Sequence, residues 1–376
     1  MIRVLHIQET IGYGGVERTR LSLAKLLDKS KFQIKIICTK TKGSIADEIK
    51  ENGVEVIAIG LLDSPFNFSQ HQKVLKIIDY YKPHIIHGAV FEGVTMAAVN
   101  GFLKRVPIII IEETSDPKNR SWKGHFLMKM FANVSDKVIG VSPATVLYLK
   151  NELKIKIDKI ALINNGVVLP EKVSQEEIKS LKKELSINEN DIVIGTVGRM
   201  LSDENKRFSD LIKSFDKLVK KGLKVKLIIV GEGPEKLNYQ KLVDELNIKD
   251  KVIFTGYQSK VTKFYEIFDI FSLVSAHEAF GLVLAEAMLN KLPVVATRVG
   301  GMQYVVVDNE TGFLVEKLDI NSIAEKLEML CIDKELRVKF GSNGYKRAIS
   351  NYTEEQYVKE VLQLYENLLI EKKIKI

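Results

Sequence analysis

Short apolar runs alternate with amphipathic segments along the chain, and this alternation predicts its secondary structure. In the first half, runs rich in Ile and Val are separated by segments with helical spacing, such as Val16–Leu27 and Gln70–Tyr81. Strands that are apolar on both faces are typical of parallel sheets covered by helices on each side. The predicted strands of this half are Val4–Ile7, Ile34–Cys38, Val54–Ile59, Ile85–His87, Ile108–Ile111 and Val138–Val141.

The alternation breaks once and then begins again. An Asn-Asn-Gly turn at 164–166 precedes a polar helix predicted at Ser174–Leu185, and the chain ends in an amphipathic helix predicted at Glu354–Lys373. A chain of 376 residues exceeds what one hydrophobic core usually serves, so we predict two α/β domains in tandem. The predicted strands of the second half are Ile192–Val197, Val225–Val230, Val252–Thr255, Ile270–Val274 and Val294–Thr297.

Composition and targeting signals indicate a folded cytoplasmic protein. Hydrophobic residues make up 45% and charged residues 28%, which argues against extensive disorder. The N-terminal MIRVLHIQET fits a first strand better than a signal peptide, and no apolar run approaches the roughly 18 residues of a membrane span. Cys38 and Cys331 have no metal-ligand spacing, so we expect free thiols in a reducing compartment.

The positive charge is concentrated in the first half of the chain. Residues 1–165 carry 24 basic and 16 acidic side chains, whereas residues 166–376 carry 32 of each. This imbalance fits a surface that faces phospholipid or a phosphate-bearing acceptor, and compositional drift in a Lys-rich and Ile-rich proteome remains the alternative. The chain lacks a recognition-helix or RNA-binding motif, so no nucleic-acid partner is expected.

The basic segment 118–131 (KNRSWKGHFLMKMF) combines the single Trp with apolar and cationic side chains. This composition is typical of a helix lying in a membrane interface, and a sheet-covering helix with a basic outer face is the alternative. We hypothesise peripheral contact of the N-terminal domain with the anionic inner face of the cell membrane.

A glycine-rich motif at Gly12–Arg18 (GYGGVER) follows the first predicted strand and opens a helix. Glycines let a ligand approach the backbone, and a helix N-terminus favours an anion. The spacing differs from the dinucleotide fingerprint, so a structural turn remains the alternative.

Two motifs follow strands of the second half. Gly198-Arg199 ends the first of these strands, with Lys206 just before a helix predicted at Phe208–Val219, and Gly231-Glu232-Gly233-Pro234 ends the next. Arg binds phosphate oxygens as a fork and Lys as a point charge, so the cations fit a phosphate ligand at this edge. Solvated surface cations are the alternative reading.

The most specific motif is Ser275–Ala287 (SAHEAFGLVLAEA). Glu278 follows a strand, Gly281 begins a helix, and Glu286 lies in the second turn of that helix among apolar residues. A carboxylate in such a setting requires a partner, which sugar or ribose hydroxyls supply, and the amides of 280–282 fit a phosphate. A helix with one salt-bridged Glu is the alternative.

Together these motifs resemble those of retaining glycosyltransferases of family 4. The resemblance implies an α/β fold of the GT-B type, with two Rossmann-like domains, parallel sheets and an interdomain cleft. It implies an acceptor-binding domain at 1–168, joined by a C-terminal helix at about 356–376 that crosses back, and a nucleotide-sugar-binding domain at 169–355. The matching features are Gly14-Gly15, Asn165-Gly166-Val167, Gly198-Arg199, Lys206, Gly231-Glu232-Gly233, Glu278, Glu286, Gly300-Gly301 and Thr311–Val315.

The resemblance also implies roles for individual residues. Arg199 and Lys206 would stabilise the leaving diphosphate, and Glu278 would contact the transferred sugar; these three form the implied catalytic set. Glu286 would bind the ribose, and Gly231, Gly256 and Tyr257 would line the base pocket, with no cofactor and no metal. The implied donor-binding set is Gly14, Gly15, Gly198, Arg199, Lys206, Gly231, Gly256, Tyr257, Glu278, Phe280, Gly281, Leu282 and Glu286.

The chain departs from the family pattern at several positions. Glu112 and Glu113 stand where many members have a His after the strand, Arg207 follows Lys206 where Gly is usual, and Tyr304 replaces a frequent Glu. His87 matches a frequent family position, either near the acceptor or as a structural His. The acceptor-side candidates are His87, Glu112, Glu113 and Arg120.

The resemblance implies transfer of a hexose-type sugar from a nucleotide diphosphate sugar, with UDP as the expected nucleotide, to a lipid-linked or surface-polysaccharide acceptor. A small soluble acceptor and an inactive sugar-nucleotide-binding scaffold are the alternatives. Arg199, Lys206, Glu278 and Glu286 are all present, which argues against the scaffold.

Overall fold

The computed structural model describes residues 1–12, 14–62, 64, 67–116 and 120–374. The chain divides into two compact units: unit 1 comprises Met1–Val167 and Thr353–Ile376, and unit 2 comprises Val168–Tyr352. Tyr13 of the first glycine motif, the first two residues of the basic segment 118–131, and the predicted helix end at 375–376 lie outside the described residues.

Unit 1 is built on a seven-stranded sheet in the order β5-β3-β1-β6-β7-β8-β9, in which the neighbouring strands pair in parallel. β2 and β4 form a separate two-stranded ladder. The strands are β1 Ile2–Ile7, β2 Thr10–Ile11, β3 Phe32–Cys38, β4 Lys40–Thr41, β5 Glu55–Ala58, β6 Ile85–Gly88, β7 Ile108–Glu113, β8 Lys137–Gly140 and β9 Ile160–Leu162.

Helices cover both faces of this sheet and bury its apolar side chains. They are α1 Gly15–Leu26, α2 Ile45–Glu51, α3 Phe68–Tyr81, α4 Val90–Leu103, α5 Trp122–Val134 and α6 Pro143–Asn151, with a 3₁₀ turn at Ile157–Lys159. The last helix, numbered α16 in chain order (Glu354–Glu371), also belongs to this unit. Thr353 caps it and the Glu354 amide donates to the Val167 carbonyl, where a side chain on Gly166 would crowd the Thr353 carbonyl.

Unit 2 has a six-stranded parallel sheet in the order β12-β11-β10-β13-β14-β15. Its strands are β10 Ile192–Val197, β11 Val225–Val230, β12 Val252–Gly256, β13 Ile270–Leu273, β14 Val294–Thr297 and β15 Gly312–Val315. Its helices are α7 Gln175–Glu184, α8 Asp203–Lys206, α9 Phe208–Lys220, α10 Lys236–Glu245, α11 Thr262–Tyr265, α12 Leu282–Leu289, α13 Met302–Val305, α14 Ile320–Ile332 and α15 Lys334–Asn351.

The predicted α/β fold with two parallel sheets is confirmed, and the strand list was incomplete. β2, β4, β9 and β15 were missing from it. β2 and β4 are two-residue strands outside the main sheet, too short to give an apolar run. β9 is a three-residue edge strand that is only partly buried, so it has no long apolar run, and β15 begins with a glycine inside a turn-rich motif. Among the described residues, no helix has the length and apolar character required to cross a membrane.

The strand order reverses once in each sheet. The reversal lies between β1 and β6 in unit 1 and between β10 and β13 in unit 2. In open parallel sheets, ligands bind outside the carboxyl ends of the strands at this point. Each unit therefore has one favoured edge for a ligand.

Candidate functional site

Lys206 and Glu278 meet at the carboxyl edge of the unit 2 sheet. The Lys206 Nζ donates to Glu278 Oε2 at 2.6 Å, and both side chains are partly exposed. Lys206 ends α8, which follows β10, whereas Glu278 lies in the loop after β13. The Ala276 amide donates to the Asn205 carbonyl at 2.8 Å, and this bond holds the two segments together.

Arg199 is exposed on the loop directly after β10. This loop is fixed on both sides, because the Gly198 amide donates to the Val230 carbonyl and the Met200 amide to the Glu232 carbonyl, both at 3.0 Å. Among the described residues, Arg199 makes no ion pair, so its guanidinium is available to an anion. Arg199 and Lys206 thus put two cations at the end of β10.

Glycines allow the neighbouring loops to approach closely. A side chain on Gly231, which has a φ of +144°, would overlap the Gly198 carbonyl oxygen. The Gly231 amide donates to the Gly256 carbonyl at 3.0 Å, so the ends of β10, β11 and β12 form a continuous backbone edge. Tyr257, the next residue, is 57% exposed there.

The Glu278 loop is supported by a second pair of glycines. The Gly301 amide donates to the Glu278 carbonyl at 3.0 Å, and a side chain on Gly300 would overlap the same carbonyl oxygen. Only a residue without Cβ allows this approach, and Gly300 also has a positive φ of +45°. Gly300-Gly301 therefore fixes the position of Glu278.

Helix α12 begins at the same loop. Gly281 precedes it with a φ of +93°, and the Phe280 ring is buried edge-on against Tyr352, with ring centroids 5.5 Å apart. The Phe280 side chain thus packs in the core, so Phe280 can contact a ligand only through its backbone. Glu286 accepts a hydrogen bond from the Tyr265 hydroxyl at 2.7 Å, so its partner is neutral and its charge is not cancelled.

In unit 1, Glu112 belongs to a buried polar network. Its carboxylate lies 2.9 Å from the Arg20 guanidinium and 2.9 Å from His87 Nε2, and the three side chains are 5%, 1% and 0% exposed. Burial opposes ionisation of Glu112, but the charge of Arg20 and the hydrogen bond with His87 outweigh it and hold the pKa at about 2. Burial lowers the pKa of His87, which favours its neutral form.

The network continues to helix α16. His87 Nδ1 lies 2.6 Å from the Tyr365 hydroxyl, which is 3.0 Å from His6 Nε2, and Arg20 donates to the Tyr357 hydroxyl at 2.8 Å. Both tyrosines belong to α16 and are buried. The network therefore connects the returning helix to β1, β6, β7 and α1.

Glu113 and Arg120 form a second pair at the end of β7. Arg120 holds both Glu113 oxygens, at 2.5 and 3.0 Å, and Glu113 is 1% exposed whereas Arg120 is 13% exposed. The guanidinium also lies over the Phe91 ring, 5.6 Å from its centroid. Arg120 is thus presented at the carboxyl edge of the unit 1 sheet.

Two family models match successive parts of the chain. The model described as Glycosyltransferase Family 4 matches residues 13–170, and the model described as Glycosyl transferases group 1 matches residues 177–347. The chain belongs to glycosyltransferase family 4.

Curated relatives and solved structures agree with this family. The chain is 29% identical to the capsular polysaccharide biosynthesis glycosyltransferase CapM of Staphylococcus aureus, over 81% of this chain and 83% of the relative. It is 24% identical to the UDP-Gal:α-D-GlcNAc-diphosphoundecaprenol α-1,3-galactosyltransferase of Escherichia coli, over 99% and 98%. Anabaena HepE in complex with UDP-glucose has the same fold, with a TM-score of 0.87 at 20% identity over 98% of this chain and 100% of HepE.

This glycosyltransferase has the GT-B fold, and the structure gathers most of its predicted donor residues at one edge of unit 2. Lys206 contacts Glu278, and Gly198, Gly231 and Gly256 are joined through their backbones. The predicted residues Gly14 and Gly15 lie in unit 1, at the start of α1. Gly14 is covered by the Glu17 carboxylate, which occupies the space above that helix end.

Three of the four acceptor-side candidates of this family 4 glycosyltransferase, His87, Glu112 and Glu113, are interior residues. His87 and Glu112 are buried; Glu112 pairs with Arg20, and His87 is hydrogen-bonded to Tyr365. Neither side chain has exposed surface from which to contact an acceptor. We therefore correct their assignment: the two side chains belong to the network that holds α16. Arg120 is the candidate with exposed atoms, and Glu113 positions it.

Sequence reasoning missed Arg20 and Tyr265, which pair with Glu112 and Glu286. A signal for Arg20 was present, because Arg20 shares one helical face with Leu23, Ala24 and Leu27. A charge on an apolar face requires a buried counter-charge. No comparable signal marked Tyr265, since a tyrosine fits a core position without a partner.

Proposed function

We propose that this glycosyltransferase transfers a hexose from a UDP-sugar, with retention, to a lipid-linked or surface-polysaccharide acceptor. The observation that carries the donor site is the contact of Lys206 with Glu278 beside exposed Arg199. Two cations stabilise a departing diphosphate, and a carboxylate accepts hydrogen bonds from sugar hydroxyls. The UDP in the names of the E. coli relative and the HepE complex supports the choice of nucleotide.

In this proposal the donor C1–O bond breaks and its electron pair passes to the diphosphate. The acceptor hydroxyl oxygen bonds to C1 on the same face, and its proton passes to the departing diphosphate oxygen. Arg199 and Lys206 would stabilise the charge on the diphosphate, and Glu278 would exchange its Lys206 partner for the sugar. Glu286 would accept from the ribose. Because two cations offset the leaving-group charge, we propose catalysis without a resident metal or other cofactor.

A donor screen tests the site. We expect one UDP-sugar, among UDP-, GDP- and ADP-sugars, to raise the melting temperature of the protein, because a ligand that binds the folded state stabilises it. Lys206→Ala should abolish the shift, and Lys217→Ala, an exposed lysine of α9, should preserve it. A shift that is equal in both variants would contradict the site.

Retention and metal independence are tested on the product. NMR of the anomeric proton should show the same configuration in product and donor, and EDTA should leave the rate unchanged. An inverted anomer would refute the stereochemical part of the proposal, and loss of activity in EDTA the metal-free part.

We further propose a lipid-linked acceptor rather than a small soluble one, together with peripheral membrane contact through α5. The support is an apolar stripe on α5, in which Trp122 is 74%, Phe126 59% and Met130 48% exposed. The diphosphoundecaprenol in the name of the E. coli relative supports the same acceptor class. Arg120 directly precedes this helix and would meet the acceptor phosphate.

A further inference from the structure

Apart from Gly14 and Gly15, no residue at the carboxyl edge of unit 1 between β1 and β6 has been assigned to a ligand so far. The strand order reverses here, which makes this edge the favoured ligand position of the unit. The donor residues other than these two glycines lie on unit 2, and His87 and Glu112 are interior. The segments that follow these two strands are the residues after β1 and the turn between β6 and α4.

The turn between β6 and α4 is held in an unfavourable backbone conformation. Val90 has a φ of +61°, in the left-handed region of backbone conformation. Among the described residues, it is the only β-branched residue with a positive φ. A side chain on Gly93 would overlap the Ile7 carbonyl, and one on Gly88 would overlap the Gly93 carbonyl. The first turn of α4 is therefore pressed against the end of β1, in a strained turn of a kind often found at functional sites.

Glu92 lies in that first turn. Its side chain is half-buried, and within the described parts of the chain no other side chain pairs with it; its carboxylate meets only its own backbone amide. Burial raises the pKa of the Glu92 carboxyl, and the nearby charge of Glu9, just after β1, adds to this rise. A half-buried carboxylate is costly unless a ligand supplies hydrogen-bond donors.

The surroundings decide the chemistry of that ligand. The negative charge of Glu9 disfavours a phosphate beside Glu92, so neutral hydroxyl groups or a cation remain. The next side chain, Phe91, faces the Arg120 guanidinium on the other side of the turn. The edge thus changes from carboxylates at β1 and β6 to a guanidinium at β7, which fits a molecule with hydroxyls at one end and phosphate at the other.

We propose that Glu92 binds the hydroxyl groups of the acceptor sugar and determines which acceptor is used. This inference rests on the proposed function, because it requires a hydroxyl-bearing acceptor. Glu92 accepts hydrogen bonds from one or two hydroxyls and holds the acceptor on unit 1. It is an acceptor-specificity residue and plays no part in donor binding.

The test uses the full-length enzyme with the UDP-sugar that its donor screen selects. The acceptor probes are alkyl-diphosphate-linked N-acetylglucosamine, glucose and galactose, together with their single-deoxy analogues, and UDP release without acceptor is measured in parallel. We expect Glu92→Gln to raise the acceptor KM about tenfold, the effect of one lost charge-assisted hydrogen bond. The rate of UDP release without acceptor should stay within roughly twofold of the wild-type rate, and the melting temperature within roughly 2 °C of the wild-type value.

Three comparisons make the test specific. The deoxy analogue that lacks the bound hydroxyl should bind the wild type weakly. Glu92→Gln should reduce its affinity little further, because the same contact is already missing. Glu51→Gln, an exposed carboxylate of α2 in the same unit, should leave every parameter unchanged. Glu92→Asp should retain part of the wild-type acceptor affinity.

An acceptor KM that Glu92→Gln does not change overturns the inference. So does equal loss of UDP release without acceptor, or a KM effect that requires Mg²⁺ and disappears in EDTA, which would make Glu92 a cation ligand. Wild-type enzyme that releases UDP but transfers to no probe also overturns it. Wild-type enzyme that neither binds nor cleaves any nucleotide sugar is a different result, which refutes the proposed function itself.

Discussion

Arg207 occupies a position where glycine is usual in the family, and its backbone explains the preference. Its φ and ψ are +53° and 35°, in the left-handed region that L-residues with a side chain adopt at a cost of about 1–2 kcal/mol. Arg207 also makes two hydrogen bonds of 2.8 Å to Asp210, which is 2% exposed. The side chain thus offsets a cost that its own backbone imposes.

We predict that Arg207→Gly destabilises the protein although it relieves this strain. The substitution leaves the buried Asp210 carboxylate without its partner, which costs more than the strain it removes, so urea unfolding should show a net loss of about 1–2 kcal/mol. The double variant Arg207→Gly/Asp210→Asn should recover most of the loss. A single variant as stable as the wild type would show that the ion pair contributes no more than the strain that it offsets.

Residue types and their order predicted the loops that form the donor edge, but they could not predict pairing. Lys206 and Glu278 are 72 positions apart, and the sequence assigns each to a strand end without showing that the two touch. The ends of parallel strands share one edge, which is why loop positions follow from the strand pattern. Glu112 is buried in a network that includes Arg20 and Tyr365. Both residues are far from Glu112 in sequence, so the residues around Glu112 could not predict its burial.

At the scale of elements, α16 shows how a polar network supplements apolar packing. Its buried apolar residues join the core of unit 1, and the hydroxyls of Tyr357 and Tyr365 reach the network of Arg20 and His87. The amphipathic pattern predicted this helix to within two residues of its observed end at Glu371. It could not predict the hydroxyl contacts, because their partners are more than 270 residues away in sequence.

We predict that Glu112→Gln destabilises the fold by about 3 kcal/mol, because Arg20 would remain buried without a counter-charge. The measurement is urea unfolding at pH 7. The control is Asp79→Asn, which removes the partner of Lys104 in an exposed pair and should cost no more than about 1 kcal/mol. Equal effects of the two variants would refute a special role for the buried pair.

The same variant has a defined pH dependence. The pKa of Glu112 is held at about 2, below its ordinary value of 4.5, so the stabilisation from its ionised form is complete above about pH 4.5. It is lost as the pH falls towards 2. The stability difference between the wild type and Glu112→Gln should therefore be constant near neutrality and decrease in acid, and a difference that grows in acid would contradict the assignment.

At the scale of the whole molecule, charge and exposed apolar surface coincide in the first half of the chain. The net charge of +8 arises entirely within residues 1–165, and α5 carries the stripe of Trp122, Phe126 and Met130. These residues are spaced by four and therefore lie along one face of the helix, which also presents exposed Lys123 and Lys129. Apolar side chains flanked by lysines are typical of helices that lie in an anionic membrane surface.

We predict that the full-length protein floats with vesicles that contain phosphatidylglycerol and does not float with neutral phosphatidylcholine vesicles. Salt should weaken the interaction, because lysines near an anionic surface contribute about 1 kcal/mol each and this attraction is screened. Trp122→Glu should abolish flotation, whereas Phe102→Glu, at another exposed aromatic residue of unit 1, should not. Because Trp122 is the only tryptophan, its fluorescence should shift to the blue as vesicles are added. Flotation that survives Trp122→Glu, or an unchanged spectrum, would place any membrane contact away from α5 and remove the structural support for a lipid-linked acceptor.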